Sequence, residues 1–426
     1  MKVKSPTPQT LLPTPNKGKA EGRVFEALPS LSDRIPCKYE VCVNFPDFDL
    51  IIVGAGPVGC VLAERAARDL AWKCLVIEKR PHLAGNCYDF VHDNGLLLHQ
   101  YGPHLFRTGK QSLVDYLSVY TDWIPGNYRV QASYKGELFP IPINLTTLEK
   151  FFGRSLTPAS ARALLANERL NITNPQNSEE YVLATVGKRL YEAFYLGYTQ
   201  KQWGLHPREL APSVCARLPV RFNRDDRYVD EPFQIMPNEG YTRLFGRMLR
   251  HPFIKVLLDT DFFEIRALLQ PKKALVYTGP IDAYFNFCHG ALPWRSLDFD
   301  WVESAQEFQQ PCVLINYPSE HEFTRSVEIK HVTGQQHPHT VVSLEYPRWG
   351  GEPFYPVLIE ANLAKYALYK HLAEKEETEK GVFFCGRLAT YSYINIDQAI
   401  DRALELYQRL KDKHSHGDAL GHRPRF

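Results

Sequence analysis

From Asp49 onward the apolar and polar positions fall into two rhythms, and the first change of rhythm is the most informative. A short apolar run, Leu50 to Val53, breaks straight into Gly54-Ala-Gly56-Pro-Val-Gly59. Apolar and alanine positions then recur at helical spacing (Val61, Leu62, Ala63, Ala66, Ala67), and a second apolar run, Cys74 to Ile77, ends on Glu78. The pattern predicts strand, tight turn, helix and strand. From Pro158 to Gln202 the period is helical, broken by a polar turn from Asn171 to Ser178. The longest piece, Glu179 to Lys201, carries Val182, Val186, Leu190 and Phe194 at helical, four-residue intervals, an expected core face. Strand-like runs follow at Ala274 to Tyr277, Cys312 to Tyr317, Val327 to His331 and Thr340 to Tyr346. Near the end, Gly381 to Cys385 reads as a buried strand closing on Gly386-Arg387. After a polar, aromatic turn, Tyr391 to Asn395, a helix is predicted from about Asp397 to Leu410.

Composition narrows the class. A chain of 426 residues has room for two or three domains. A net charge of +2 gives no global attraction to nucleic acid, and no apolar run approaches the length of a membrane span. The nine cysteines form no C-x-x-C pair and are expected as buried free thiols in a reducing, cytoplasmic setting. Residues 1–46 are rich in Pro, Lys, Ser and Thr without apolar periodicity, and a disordered extension is expected there.

Candidate chemistry begins at the glycines. Gly54 permits a tight turn, Gly56 lets backbone approach a pyrophosphate, and Gly59 lets helix pack on strand. The helix N-terminus presents N–H groups and a positive dipole end to phosphates, and Glu78 stands where a ribose hydroxyl is accepted. The alternative is a glycine turn in an ordinary α/β unit. The loop Lys79 to Asn86, with Gly85, is placed to wrap a second part of the same cofactor. The late strand–glycine–helix return favours a flavin over a nicotinamide, because that helix N-terminus can stabilise charge on the reduced ring. A basic, aromatic stretch, Arg217 to Tyr228, is too irregular for a helix.

The segments IIVGAGPVG, LVIEKRPHLAGN, YGPHLF, GYTQKQWG, LPVRF, YTGPID, EYP, EPFYP and FCGRLATYSYINIDQ, in that order, resemble the UDP-galactopyranose mutase family from Asp49 to about Leu410. The resemblance implies an α/β fold: a discontinuous Rossmann-like FAD-binding domain with a helical insertion domain and an antiparallel β-sheet domain. The expected division is 47–110, 236–285 and 360–412 for the FAD-binding domain and 145–205 for the helical domain. Residues 111–144, 206–235 and 286–359 are assigned to the sheet domain, and 413–426 to a flexible tail. It implies FAD, active when reduced with NAD(P)H as reductant, and interconversion of UDP-galactopyranose and UDP-galactofuranose through a flavin N5–sugar adduct without net redox change. A UDP-sugar partner, a homodimer and a role in cell-surface polysaccharide synthesis are implied too.

Carried over residue by residue, the resemblance puts Tyr198 on uracil and Trp203 at the sugar end. Arg221 and Arg325 clamp the diphosphate, and Tyr228, Tyr355 and Tyr393 bond to the phosphates. Glu345 lines the sugar pocket, His104 lies beside the isoalloxazine, and Arg387 and Asn395 touch the flavin. Gly54, Gly56, Gly59, Glu78, Lys79, Gly85, Asn86 and Gly386 complete the cofactor site, and no metal is expected. The chain departs from the family pattern at Asn395, where many relatives carry Asp, and at Phe106-Arg107-Thr108, where many carry Phe-His-Thr. Arg107, three residues after His104, is expected to reach an acetamido carbonyl, extending the substrates to UDP-N-acetylgalactosamine. The competing readings are a flavin oxidoreductase of the amine-oxidase or desaturase kind, and a binding protein without activity.

Overall fold

Two apolar tetrads, Leu50–Val53 and Cys74–Ile77, are buried along their whole length and pair in parallel, Leu50 opposite Cys74. Three more strands join them from far along the chain in the computed structural model, which describes residues 47–417. Ile254–Leu257 lies beyond Cys74–Ile77, Ala274–Tyr277 beside Leu50–Val53, and Val382–Phe384 at the far edge, all parallel. Parallel neighbours need crossovers, and the helix Pro57–Leu70 supplies the first. Gly59 seats it: a Cβ there would stand 2.0 Å from the Gly54 carbonyl oxygen, so helix and strand touch backbone to backbone. The helix Ile396–Gly417 packs along Pro57–Leu70 and runs seven residues past the expected end, so residues 413–417 of the expected tail are helical. The expected extension 1–46 and residues 418–426 lie outside the described residues.

A seven-stranded sheet forms a second layer, in the order Tyr355–Pro356, Trp294–Ser304, Thr340–Trp349, Arg325–Val327, Leu314–Asn316, Val130–Tyr134 and Glu137–Ile141. It is antiparallel except where Leu314–Asn316 meets Val130–Tyr134 in parallel, a pair formed between segments remote in sequence. Segment 206–235 adds no strand to it. Phe233–Pro237 instead joins Phe106–Thr108 and Trp123–Pro125 in a separate antiparallel sheet. The run expected as a strand over Val327 to His331 is split. Arg325–Val327 pairs with Thr340–Trp349, and Lys330–Thr333 turns helical around the buried Glu328, which accepts from Thr340 Oγ1 at 2.5 Å and from two backbone N–H groups.

Helices Leu145–Phe152 and Pro158–Glu168 open on capping boxes at Asn144 and Thr157. The helical run expected over Glu179 to Lys201 is not continuous. Ser178–Thr185 stops before Gly187, whose φ is +83° and whose position has no room for a Cβ against the Glu168 carbonyl. The chain resumes at Lys188, passes a π-helical turn at Tyr191–Leu196 and ends as Gly197–Trp203 at the left-handed Gly204. Val182, Val186, Leu190 and Phe194 are buried all the same. All described residues fall within one compact unit.

Candidate active site

The carboxyl ends of the parallel strands open on a cleft of about 310 Å³. Gly54, Gly56, Glu78, Lys79, Gly85, Asn86, Gly386, Arg387, Asn395 and His104 all line it, so residues remote in sequence share one cavity. Gly59 lies beneath, as the helix seat described above. Gly54 has φ +106° and abuts Thr278 Oγ1; Gly386 has φ +100°. At the helix N-terminus Gly56 takes the cap position with no side-chain cap and no acidic residue in the first turn. A Cβ on Gly56 would meet nothing nearer than Gly85 Cα at 3.8 Å, so bare backbone faces the cleft there. This donor set fits a dinucleotide: glycine backbone for the pyrophosphate, Glu78 for a ribose, and an apolar end at Phe262 and Phe263 for a base.

Glu78 is already tied at both oxygens, accepting from Ala55 N–H at 2.9 Å and Arg80 N–H at 3.0 Å, which orients its remaining lone pairs. Arg80, which sequence reasoning passed over, also lines the cleft. It donates to Asn86 Oδ1 at 3.0 Å and to Glu352 at 2.7 Å and stacks over Tyr101 at 4.6 Å. Lys79 is exposed and meets Glu352 at 3.5 Å. At the other end the Nδ1–H of His104 donates to the Gly102 carbonyl at 2.9 Å, which leaves Nε2 as the acceptor nitrogen. Burial, with the Arg387 guanidinium next in weight, pushes the His104 pKa down to about 4, so the ring is neutral. Arg387 donates to the Phe354 and Ile394 carbonyls at 3.1 and 2.6 Å, fixing the turn that carries Asn395.

Beside Arg387 the cleft meets a cluster of aromatic rings and guanidiniums. Arg387 stands 5.1 Å over the Tyr393 ring and Arg217 5.6 Å over it; Arg217 Nη1 also donates to Tyr393 Oη at 3.3 Å. Tyr393 stacks on Tyr355 at 5.9 Å, Tyr355 meets Trp203 edge-on at 6.2 Å, and Arg325 Nη2 donates to Tyr355 Oη at 3.1 Å. Burial alone would raise the Tyr393 phenol, yet Arg217, Arg387 and Arg325 together bring it below its ordinary value. Burial pushes Tyr198 up to about 12 against Arg325, and Tyr228 and Tyr355 add to that rise. Tyr228 lies 5.7 Å from Tyr128.

The β-register sets the deepest ion pair. Arg325 and Glu345 are cross-strand partners, and Arg325 Nε donates to Glu345 Oε2 at 2.6 Å. Glu345 is 0% exposed and its Oε1, facing Gly102, has no partner. Burial raises its pKa and Arg325 opposes the rise.

Two expected site residues stand elsewhere. Arg221 is not in the arginine cluster. Its guanidinium is used up within its own loop, on the Asp225 and Arg227 carbonyls and on Asp230 Oδ1 at 2.5 Å, and its backbone N–H bonds to Ile143 O. The arginine of this segment that reaches Tyr393 is Arg217, four residues earlier and exposed. An aperiodic loop carries no sequence signal to choose between them. Arg107 donates to Glu231 Oε1 at 2.6 Å from the small sheet and does not line the cleft, because the β-alternation that buries Phe106 and Thr108 turns Arg107 to the opposite face.

Comparison with known proteins agrees with this geometry. The UDP-galactopyranose mutase family profile matches residues 193–393, and an NAD(P)-binding Rossmann-like domain profile matches residues 52–118. A probable UDP-galactopyranose mutase of Klebsiella pneumoniae is 38% identical over 364 residues, covering 84% of this chain and 93% of the relative. A dTDP-fucopyranose mutase of Escherichia coli is 35% identical over 371 residues, covering 84% and 97%. The crystal structure of a reduced UDP-galactopyranose mutase superposes with a TM-score of 0.68 at 15% identity, over 86% of this chain and 94% of that one, a likeness of fold. The chain belongs to the UDP-galactopyranose mutase family, a family of isomerases.

Proposed function

We propose that the protein is an FAD-dependent mutase that interconverts UDP-galactopyranose and UDP-galactofuranose without net redox change, with NAD(P)H as reductant. The observation that carries the reading is the convergence of Arg217, Arg325 and Arg387 on Tyr355 and Tyr393, joined to the glycine-lined cleft through Arg387. A departing nucleoside diphosphate needs permanent, forked cationic donors, and guanidiniums supply them. When bound, a reduced flavin supplies a nucleophile for the anomeric carbon and is regenerated, so no electrons are consumed.

The chain's own groups do the rest. Arg325, held by Glu345, offers its remaining N–H groups to one phosphate from inside, and the exposed Arg217 approaches the other from the loop. Tyr198 and Trp203 provide aromatic surface for the base and sugar ends. His104 Nε2, unprotonated, accepts a hydrogen bond on the cofactor side. Glu345 Oε1 is a buried acceptor without a partner, beside Gly102. Because Arg107 is bound to Glu231, extension to UDP-N-acetylgalactosamine is not part of the proposal. The division into a discontinuous cofactor domain, a helical insertion and a sheet domain is proposed with the same boundaries, less segment 206–235, which contributes no strand to the large sheet. The seven free cysteines among the described residues support a reducing, cytoplasmic location.

The test is to load the purified protein with FAD, reduce it with dithionite and follow conversion of UDP-galactofuranose to the pyranose form, with dTDP-fucopyranose alongside because of the relative of that name. Many turnovers per reducing equivalent are expected. Stoichiometric consumption of reductant would replace the mutase with an oxidoreductase.

A further inference from the structure

Lys201 lies two residues before Trp203 in the helix Gly197–Trp203 and has no part in the chemistry above. Its ammonium leaves the helix and enters the hairpin turn between Leu314–Asn316 and Arg325–Val327. The carbonyls of Tyr317, His321 and Phe323 all accept from it there, the last two at 2.9 and 3.1 Å. Gln202 Oε1 accepts from Thr324 Oγ1 at 3.4 Å, and Thr324 is the residue directly before Arg325. The Thr324 N–H in turn bonds to the Glu345 carbonyl at 2.9 Å. Two consecutive side chains of one helix therefore grip the turn that delivers the buried arginine.

We propose that Lys201 is a positioning residue for nucleotide binding: its ammonium locks the helix bearing Tyr198 and Trp203 to the turn ahead of Arg325, and so sets the span between the base and sugar end and the diphosphate arginine. The inference rests on the nucleoside-diphosphate reading of the arginine cluster. A neutral amine keeps two hydrogens for three carbonyls, so deprotonation leaves one carbonyl unserved and loosens the tie. Burial pulls the Lys201 pKa down to about 8, and the Glu320 carboxylate partly offsets it. The other groups around the turn are otherwise engaged. Glu320 is bound to Ser133 Oγ and Gly136 N–H, the His321 ring stacks on Phe323, and the Tyr317 phenol meets Ser326 Oγ at 3.4 Å. Arg295 donates to the Lys201 carbonyl at 2.9 Å, and Glu322 and Asp300 lie about Tyr346 on the adjoining strand.

The experiment is calorimetric titration of UDP into the FAD-loaded full chain at about pH 7 and about pH 9, for wild type, Lys201→Met and Lys201→Arg, with melting temperatures at each pH. Wild type is expected to lose affinity roughly tenfold as pH rises through about 8. Lys201→Met should be about tenfold weaker already at the lower pH. Lys201→Arg, which does not titrate, should bind like wild type at the lower pH and lack the alkaline loss; uracil ionisation is common to all three. A purely structural lysine predicts no loss of UDP affinity with pH, and its effect on stability has a known sign. Its folded pKa lies below the unfolded value of about 10.4, so between the two the unfolded chain holds more protons and this group adds stability as pH rises. UDP affinity falling while the melting temperature holds supports positioning. Equal affinities for wild type and Lys201→Met overturn the proposal, as does an alkaline loss of the same size in Lys201→Arg, which decides the matter if Lys201→Met does not fold. Failure of wild type to bind UDP at the lower pH would instead remove the nucleotide reading of the site.

Discussion

Gly56 and Gly59 stand three residues apart in one fingerprint, and the structure assigns them opposite sensitivities. At Gly59 an added Cβ would lie 2.0 Å from Gly54 O and 3.2 Å from both Gly54 C and Ile52 Cγ2. Two of those three atoms are backbone of a buried turn, so the helix Pro57–Leu70 itself has to move. Overpacking of this kind costs about 1–3 kcal/mol, and a backbone obstacle belongs at the upper end. For a unit of this size that is a fall of roughly 4 °C in melting temperature. At Gly56 the nearest atom to an added Cβ is 3.8 Å away and φ is −76°, an ordinary value, so Gly56→Ala loses only part of a cap preference, about 0.5–1 kcal/mol. That methyl points into the space a pyrophosphate needs, and loss of one charge-assisted backbone contact weakens FAD by about 10- to 100-fold. The assay pairs thermal melts of the apo proteins with FAD titration followed by flavin fluorescence. Gly59→Ala should melt low, and Gly56→Ala should melt near wild type yet stay pale. A Gly56→Ala protein that binds FAD as wild type does would place the pyrophosphate elsewhere and refute the reasoning.

Three further outcomes follow from the same geometry. Arg217→Ala should lower kcat/KM by about 30- to 1000-fold with little change in melting temperature, while Arg221→Ala should do the reverse, because Arg221 holds the 225–230 turn; steady-state kinetics and melts separate them. Arg325→Ala strands Glu345, which is 0% exposed, and should cost about 3–5 kcal/mol of stability in addition to activity, whereas Arg325→Met with Glu345→Met should recover most of the stability by chemical denaturation. Acid should destabilise the fold between about pH 6.5 and about pH 4. Burial holds His82 and His104 near a pKa of about 4 and His99 near about 3, so the unfolded chain takes up those three protons first. Asp89, raised by burial to about 6, is protonated first in the folded state and offsets one proton below that pH; urea midpoints in this window read the net slope.

The nucleotide half of the molecule was legible because its signals are local. Leu50–Val53, Cys74–Ile77 and Ala274–Tyr277 match the apolar runs end for end, since a strand buried on both faces must be continuously apolar. The glycines were legible because each meets a hard geometric demand at Gly54, Gly59 and Gly386. What the linear pattern left open is what depends on partners distant in sequence. The break at Gly187 comes where the chain packs against the Glu168 carbonyl and a π-helical turn follows at Tyr191–Leu196, yet a hydrophobic repeat of four runs through both without a mark. Trp294–Ser304, a long strand with charges on both faces, is a strand because Thr340–Trp349 pairs with it residue for residue. That Arg217 rather than the expected Arg221 reaches Tyr393 depends on which guanidinium its own loop consumes, and the orientation of Arg107 on the position of Glu231. The chain alone thus determined which chemistry is present, because residue types and turn glycines are local properties. Tertiary structure decided which cations are committed, because a guanidinium is consumed by whichever acceptors the folded chain brings to it, within its own loop for Arg221 and from a remote strand end for Arg107.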